Sequence, residues 1–230
     1  MSFGQYNNPA DRWEYAEERN KMFGEVLAAH EALRNPLNET EEHAKALLES
    51  LPAWGDVPED HRAETPKRFA KMLWDMSTRE EFNFTTFPSE SNDMVTTAPI
   101  PFYTFCAHHI APFFGYAYIS YVPCGKLVGL SKLARTVQFH AKGFWVQEEL
   151  TAVIADYLED MLGTDNPYDD KYFNGGVGVV LEAEHMCMAM RGVQVPGAVT
   201  TTAAMRGVYA DHSRTAKTEF MEVVNARRPR

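Results

Sequence analysis

The sequence predicts an α+β fold built on an antiparallel sheet. Three observations lead there. Proline-punctuated helix formers fill the chain to about residue 92, and β-branched and aromatic alternation takes over near Met94. Beyond that point, strands and helices come in clusters and not in strict β-α alternation. Residues 10 to about 34 place Trp13, Ala16, Met22, Val26, Leu27 and Leu33 among charges, an amphipathic helix that Asn35-Pro36 ends. Thr40, followed by Glu41 and Glu42, opens a second helix through Leu51, closed by Pro52. Thr65-Pro66 reads as an N-cap with proline at the first helical position, starting a third helix to about Ser77.

The strands follow. Val95 to Thr97 and Ile100 to Phe105 are β-rich, and Gly115 to Val122 alternates Tyr116, Tyr118 and Ser120 against Ala117, Ile119 and Tyr121. Pro123-Cys124-Gly125-Lys126 is a turn from which Leu127 to Leu130 starts a return strand. Ser131 caps a helix through Ala141, and Phe144-Trp145 leads to another that Gly163 stops. Val177 to Leu181, His185 to Met190 and Val199 to Ala204 read as further strands. Asp211 or Ser213 caps a last helix to Val224.

With 230 residues, 45% of them hydrophobic, the chain can bury a core without covalent staples. Its 22 bases against 32 acids give −10, which argues against a general nucleic-acid binder and against adhesion to an anionic membrane. No apolar run approaches the ~18 residues of a spanning helix. The opening MSFGQYNNPADRWEYAEERN has neither the basic patch nor the apolar centre of a signal peptide. Three cysteines make no disulfide framework. A soluble, cytoplasmic protein is expected. Its charge is uneven: residues 1–64 hold 14 acids and 6 bases, whereas residues 185–230 hold 3 acids and 7 bases. Arg227, Arg228 and Arg230 read as a solvated basic tail.

Chemistry concentrates in two short segments. In Phe105-Cys106-Ala107-His108-His109, a Cys and a His three apart can reach one ion, and thiolate with imidazole suits zinc. In His185-Met186-Cys187, a strand would put His185 and Cys187 on one face, with Met186, Met188 and Met190 filling core on the other. Three protein ligands with one open position is the pattern of a catalytic zinc site. Cys124 and His30, His43, His61, His140 and His212 read as structural. Ser131, Lys132 and Arg135 stand at a helix start, where free N–H groups and the dipole favour phosphate.

The run Gly129-Leu-Ser-Lys-Leu-Ala-Arg135-Thr-Val-Gln-Phe139, then Val146-Gln-Glu148, His185-Met-Cys187 and Arg191-Gly192, resembles GTP cyclohydrolase I. So do Thr65-Pro-Lys-Arg68-Phe-Ala-Lys71-Met72 and Thr200-Thr201-Thr202, and the resemblance spans about residues 38–226. It implies zinc held by Cys106, His109 and Cys187, with His108 and His185 as the acid–base pair. It implies that Glu148, with Gln147 beside it, binds guanine, since a carboxylate matches the two-donor edge of N1 and the amino group. Ser131, Lys132, Arg135, Arg191, Arg68 and Lys71 would hold the triphosphate of GTP. The family fold is the tunnel fold, an antiparallel sheet with helices on one face, assembled into a multimeric barrel. The expected assembly is a homodecamer with sites between subunits. On this reading residues 1–37 form a helical arm, 38–226 the family domain, helical to about 92, and 227–230 a basic tail. The implied reaction opens the guanine imidazole ring, releases formate and yields 7,8-dihydroneopterin triphosphate, a first step toward pterin and folate or 7-deazapurine.

One departure stands out. The family usually has Cys-Glu-His-His, and here Ala107 replaces the acid. No ligand is lost, but a carboxylate that orients an imidazole would be, a change that typically costs 10–100-fold in affinity or activity. Three other readings fare worse. A zinc nucleoside deaminase needs Pro-Cys-x-x-Cys, and Pro123-Cys124 is followed by Leu127 where the second Cys belongs. A tunnel-fold reductase, or a zinc-stabilised scaffold with a closed four-ligand site, would be told apart by metal content and by formate release.

Overall fold

A computed structural model of the chain describes residues 36–163 and 175–228. The helix expected from 10 to about 34 lies outside them. The chain falls into two compact units, one ending at Trp74 and the other running from Asp75 to Arg230.

The first unit is helical. Helix α1, Pro36–Glu49, starts four residues before the expected Thr40, with Pro36 in the first turn, where a missing N–H costs nothing. Pro52 does more than end it: Pro52–Asp56 forms a 3-10 turn with proline at its start. Helix α2, Glu59–Ser77, begins six residues before Thr65 and carries Pro66 inside it. Glu59 and Asp60 suit the positive end of the helix dipole, and the N–H groups of His61 and Arg62 donate to the Pro58 carbonyl. Thr65 is therefore no cap. Its hydroxyl donates back to the His61 carbonyl at 2.7 Å, as a threonine within a helix does.

The second unit is built on a five-stranded sheet. Its strands are β2 (Val95–Cys106), β3 (Pro112–Val122), β5 (Phe144–Trp145), β6 (Gly176–His185) and β7 (Val199–Gly207), in the order β5-β2-β3-β6-β7. All pairings are antiparallel except β2 with β5. The two expected segments of β2 are one strand, with a register shift between Thr97 and Ile100. The expected return strand is shorter and elsewhere: β4, Lys126–Val128, pairs with β1, Thr86–Pro88, in a separate two-stranded sheet. Both edges of β3 are already taken by β2 and β6, so the chain leaving it has no ladder to rejoin.

The alternation in β3 sorts residues to two buried faces. Ala117, Ile119 and Tyr121 join Leu133 and Val137 of helix α3 (Leu130–Ala141) and Leu150, Ile154 and Leu158 of α4 (Gln147–Leu162) in the main core. Tyr118 faces the other way, packing with Val180, Tyr209, Phe220 and Val224 under helix α6, Ala216–Arg227. Helices therefore cover both faces of the sheet and not one. Gly129, not Ser131, precedes α3, which leaves Ser131 inside the first turn. Gly163 ends α4 at φ 65, a left-handed conformation that glycine adopts freely.

Two further expectations are corrected. Strand β6 stops at His185, where its register with β3 runs out opposite Phe113, and Met186–Ala189 is one helical turn, α5. Met188 and Met190 are exposed and fill no core. Asp211 does not cap the last helix: it accepts from the Ser213 N–H and hydroxyl in a local turn, and α6 starts after Thr215. Nor is the basic tail wholly solvated, since Arg228 pairs with Glu182 at 2.5 Å.

Candidate functional site

Two strand ends meet here. Cys106 closes β2, its N–H donating to Ala111 and its carbonyl accepting from Ile110, both at 2.8 Å. Those bonds hold residues 106–110 in a tight turn, and Ala107 N–H is pinned to the Trp145 carbonyl at 3.0 Å. His185 closes β6, and the helical turn after it brings Cys187 back. The ligating atoms of Cys106, His185 and Cys187 all lie within 4.8 Å of one another. The sharing of one side by His185 and Cys187 thus holds, although a helical turn and not a strand produces it.

His108 and His109 each bring Nδ1 to 3.9 Å from the Cys106 sulfur, with ring centroids 6.3 Å and ring planes 70° apart. Both are exposed. His185 is held more firmly: its ring stacks on that of Phe113 at 4.3 Å and 8°, and its Nε2 lies 2.7 Å from Gln147 Oε1. Burial lowers the pKa of the His185 imidazole, and the nearby Glu148 carboxylate works against that. Burial also pushes the Cys187 thiol up, helped by the Cys106 thiol and opposed by Arg191. Glu148 thus lies within electrostatic reach of His185, and Arg191 of Cys187.

The other expected residues are distributed as follows. Glu148 and Glu149 are both exposed in the first turn of α4, while Gln147 is buried, 2% exposed, with its side chain turned into the protein. Ser131 and Arg135 are exposed on α3, with Lys132 half-buried between them. Arg68 and Lys71, three apart on α2, are exposed on the first unit. Among residues read as structural, Cys124 and His140 are buried, whereas His43, His61 and His212 are exposed and His30 lies outside the described residues. Sequence reasoning missed the Phe113 platform and the contacts of the Gln147 amide. The only hint of the latter was Thr151, one helical turn beyond Gln147.

Two sulfurs with imidazole nitrogens form a donor set suited to zinc. Donors around a tetrahedral ion on ~2.3 Å bonds stand about 3.8 Å apart, so a cluster within 4.8 Å closes on an ion with shifts of up to about 1 Å.

The family model described as GTP cyclohydrolase I matches residues 40–225. A GTP cyclohydrolase 1 from Hydrogenobaculum sp. is 43% identical over 185 residues, covering 80% of this chain and 94% of its own. One from Aquifex aeolicus is 44% identical, covering 70% of this chain and 83% of its own. A protein named GTP cyclohydrolase 1 2 from Nostoc sp. is 41% identical over 190 residues, 80% and 83% of the two chains. With the match running through both strand ends that carry the Cys-His-Cys cluster, the chain belongs to the GTP cyclohydrolase I family.

Proposed function

We propose that the protein is a zinc-dependent GTP cyclohydrolase I that opens the guanine imidazole ring of GTP and forms 7,8-dihydroneopterin triphosphate. The observation that carries this reading is the convergence of Cys106, His185 and Cys187 from two strand ends, with His108 and His109 beside them. In this reading Cys106, Cys187 and His109 hold zinc, because His185 is already committed to Phe113 and Gln147 while His109 is free to turn toward the sulfurs. When bound, zinc supplies a water acid enough to be hydroxide near neutral pH.

The chain's own residues do the rest. The Glu148 carboxylate accepts from guanine N1 and its amino group, holding the base edge-on. Arg191, beside Cys187, meets the anionic substrate, and Ser131, Lys132 and Arg135 offer a helix start and two cations to the triphosphate. In this reading His108 and His185 exchange protons with the ring nitrogens. Water adds at C8 and a second water cleaves the resulting formamide, releasing formate. The opened ribose rearranges to a ketose and closes on the freed amine with loss of one water. Ala107, where a carboxylate usually stands, makes the turn less polar and bears on rate and zinc affinity, not on reaction type.

A homodecamer with sites between subunits completes the proposal. Strand β7 is an edge of the sheet with Val199 exposed on it, and most of β2 lies beyond the two-residue β5 on the other edge. Open edges of this kind invite pairing with another copy. Among the described residues no helix is long and apolar enough to cross a membrane, in keeping with a cytoplasmic enzyme of pterin and folate or 7-deazapurine synthesis. The test is incubation with GTP and zinc, followed for formate and, after oxidation, a fluorescent pterin. Both are expected; a zinc-loaded, folded protein that makes neither overturns the proposal.

A further inference from the structure

The amide of Gln147 connects His185 to the sheet. Its Nε2 lies 3.2 Å from the Leu181 carbonyl, 3.0 Å from the Thr200 carbonyl and 3.1 Å from Thr202 Oγ1. Carbonyl oxygens only accept, so this end of the amide is the NH2 and the opposite end, facing His185, is the oxygen. That oxygen also only accepts. The 2.7 Å contact therefore requires a proton on His185 Nε2. The hydroxyls agree with this order. Thr202 Oγ1 can accept from the Gln147 amide, and it lies 2.6 Å from Thr151 Oγ1, where either hydroxyl can be the donor. The two carbonyl contacts by themselves fix which end of the amide is the NH2.

We propose that Gln147 is a positioning residue that locks His185 as its Nε2–H tautomer, leaving Nδ1 as the nitrogen with a lone pair in the site. A neutral imidazole carries one ring proton, so fixing it on one nitrogen bares the other. The Phe113 ring, stacked at 4.3 Å, keeps the imidazole plane in register with the amide, and a flipped ring would set a C–H against Oε1. Gln147 thus acts on the chemistry through His185 and not by touching guanine, since its own side chain is spent inside the protein. The tautomer assignment stands on geometry alone; its effect on turnover rests on the proposed GTP cyclohydrolase activity.

The test uses zinc-loaded protein labelled with 15N-histidine, in which long-range proton–nitrogen spectra identify the protonated ring nitrogen of each histidine. His185, assigned by loss of its signals in His185→Gln, is expected to show a protonated Nε2 and a bare Nδ1. In Gln147→Leu that single-tautomer signature is expected to be lost, with kcat for formate release down about 10–100-fold and KM for GTP in place. A wild-type spectrum with the proton on Nδ1 overturns the proposal without any variant. So does a Gln147→Leu protein that loses thermal stability but keeps both the signature and kcat, because then Gln147 only ties α4 to the sheet. A wild-type protein that shows Nε2–H at His185 yet releases no formate leaves the tautomer assignment standing and removes the activity reading.

Discussion

Removing His109 should strip the protein of zinc while leaving it folded. Its side chain is exposed on the 106–110 turn, so His109→Ala opens no cavity, and the turn is held by backbone bonds at Cys106 that the substitution does not touch. Four-ligand structural zinc sites bind with about 10–16 kcal/mol, or roughly 2.5–4 kcal/mol per ligand. Loss of one ligand therefore weakens binding about 10²–10³-fold. His185→Ala makes the opposite trade. It removes a ring stacked on Phe113 and leaves Gln147 Oε1 without its donor, a stability loss of about 1–3 kcal/mol. Cys106, Cys187 and His109 remain to hold the ion. The assay is zinc content after dialysis against graded chelator, with thermal unfolding on the same samples. If His109→Ala keeps zinc as tightly as wild type while His185→Ala loses it, the ligand set is the Cys106–His185–Cys187 cluster, and the proton-transfer role given to His185 is wrong.

Three further outcomes follow from the same contacts. Glu148→Gln should damage GTP binding and turnover far more than Glu149→Gln, because it is Glu148 whose charge reaches His185; equal steady-state effects would put the wrong face of α4 in the pocket. Phe113→Ala should lower unfolding free energy by about 3–5 kcal/mol, since the ring is fully buried, while Phe113→Leu stays within about 1.5 kcal/mol; urea titration separates the two. Tyr118, its pKa raised to about 12 by burial and then by Glu182, stays neutral in the fold where the unfolded chain ionises. Its contribution is complete below pH 10 and is lost as pH rises toward 12, so urea midpoints should fall through that window, and fall less in Tyr118→Phe.

What the sequence made legible was local. Strand β3 announced itself by alternation, α4 by Gly163 at its end, and the metal-binding residue types by their crowding into 106–109 and 185–187. The partner of Lys126–Val128 was not legible, because a three-residue strand carries too little pattern to name a ladder 40 positions upstream. The helical turn at Met186–Ala189 was hidden for a different reason: alternating methionines fit a strand, and only the end of the β3–β6 register at His185 rules it out. Thr65-Pro66 has the form of a helix start, yet the acids at 59 and 60 start the helix sooner. The Gln147 network joins residues 34, 53 and 55 positions apart through single side-chain bonds, and nothing in periodicity or spacing encodes such contacts.

The most direct test of the account follows the atom that the reaction must expel. Zinc-loaded protein is given GTP labelled at C8, and labelled formate is measured against pterin formed. The account predicts label in formate in one-to-one ratio with 7,8-dihydroneopterin triphosphate, and loss of both in Cys187→Ala. Formate without pterin would limit the enzyme to ring opening and deformylation, and label retained in the nucleotide with wild-type zinc bound would contradict the assigned reaction.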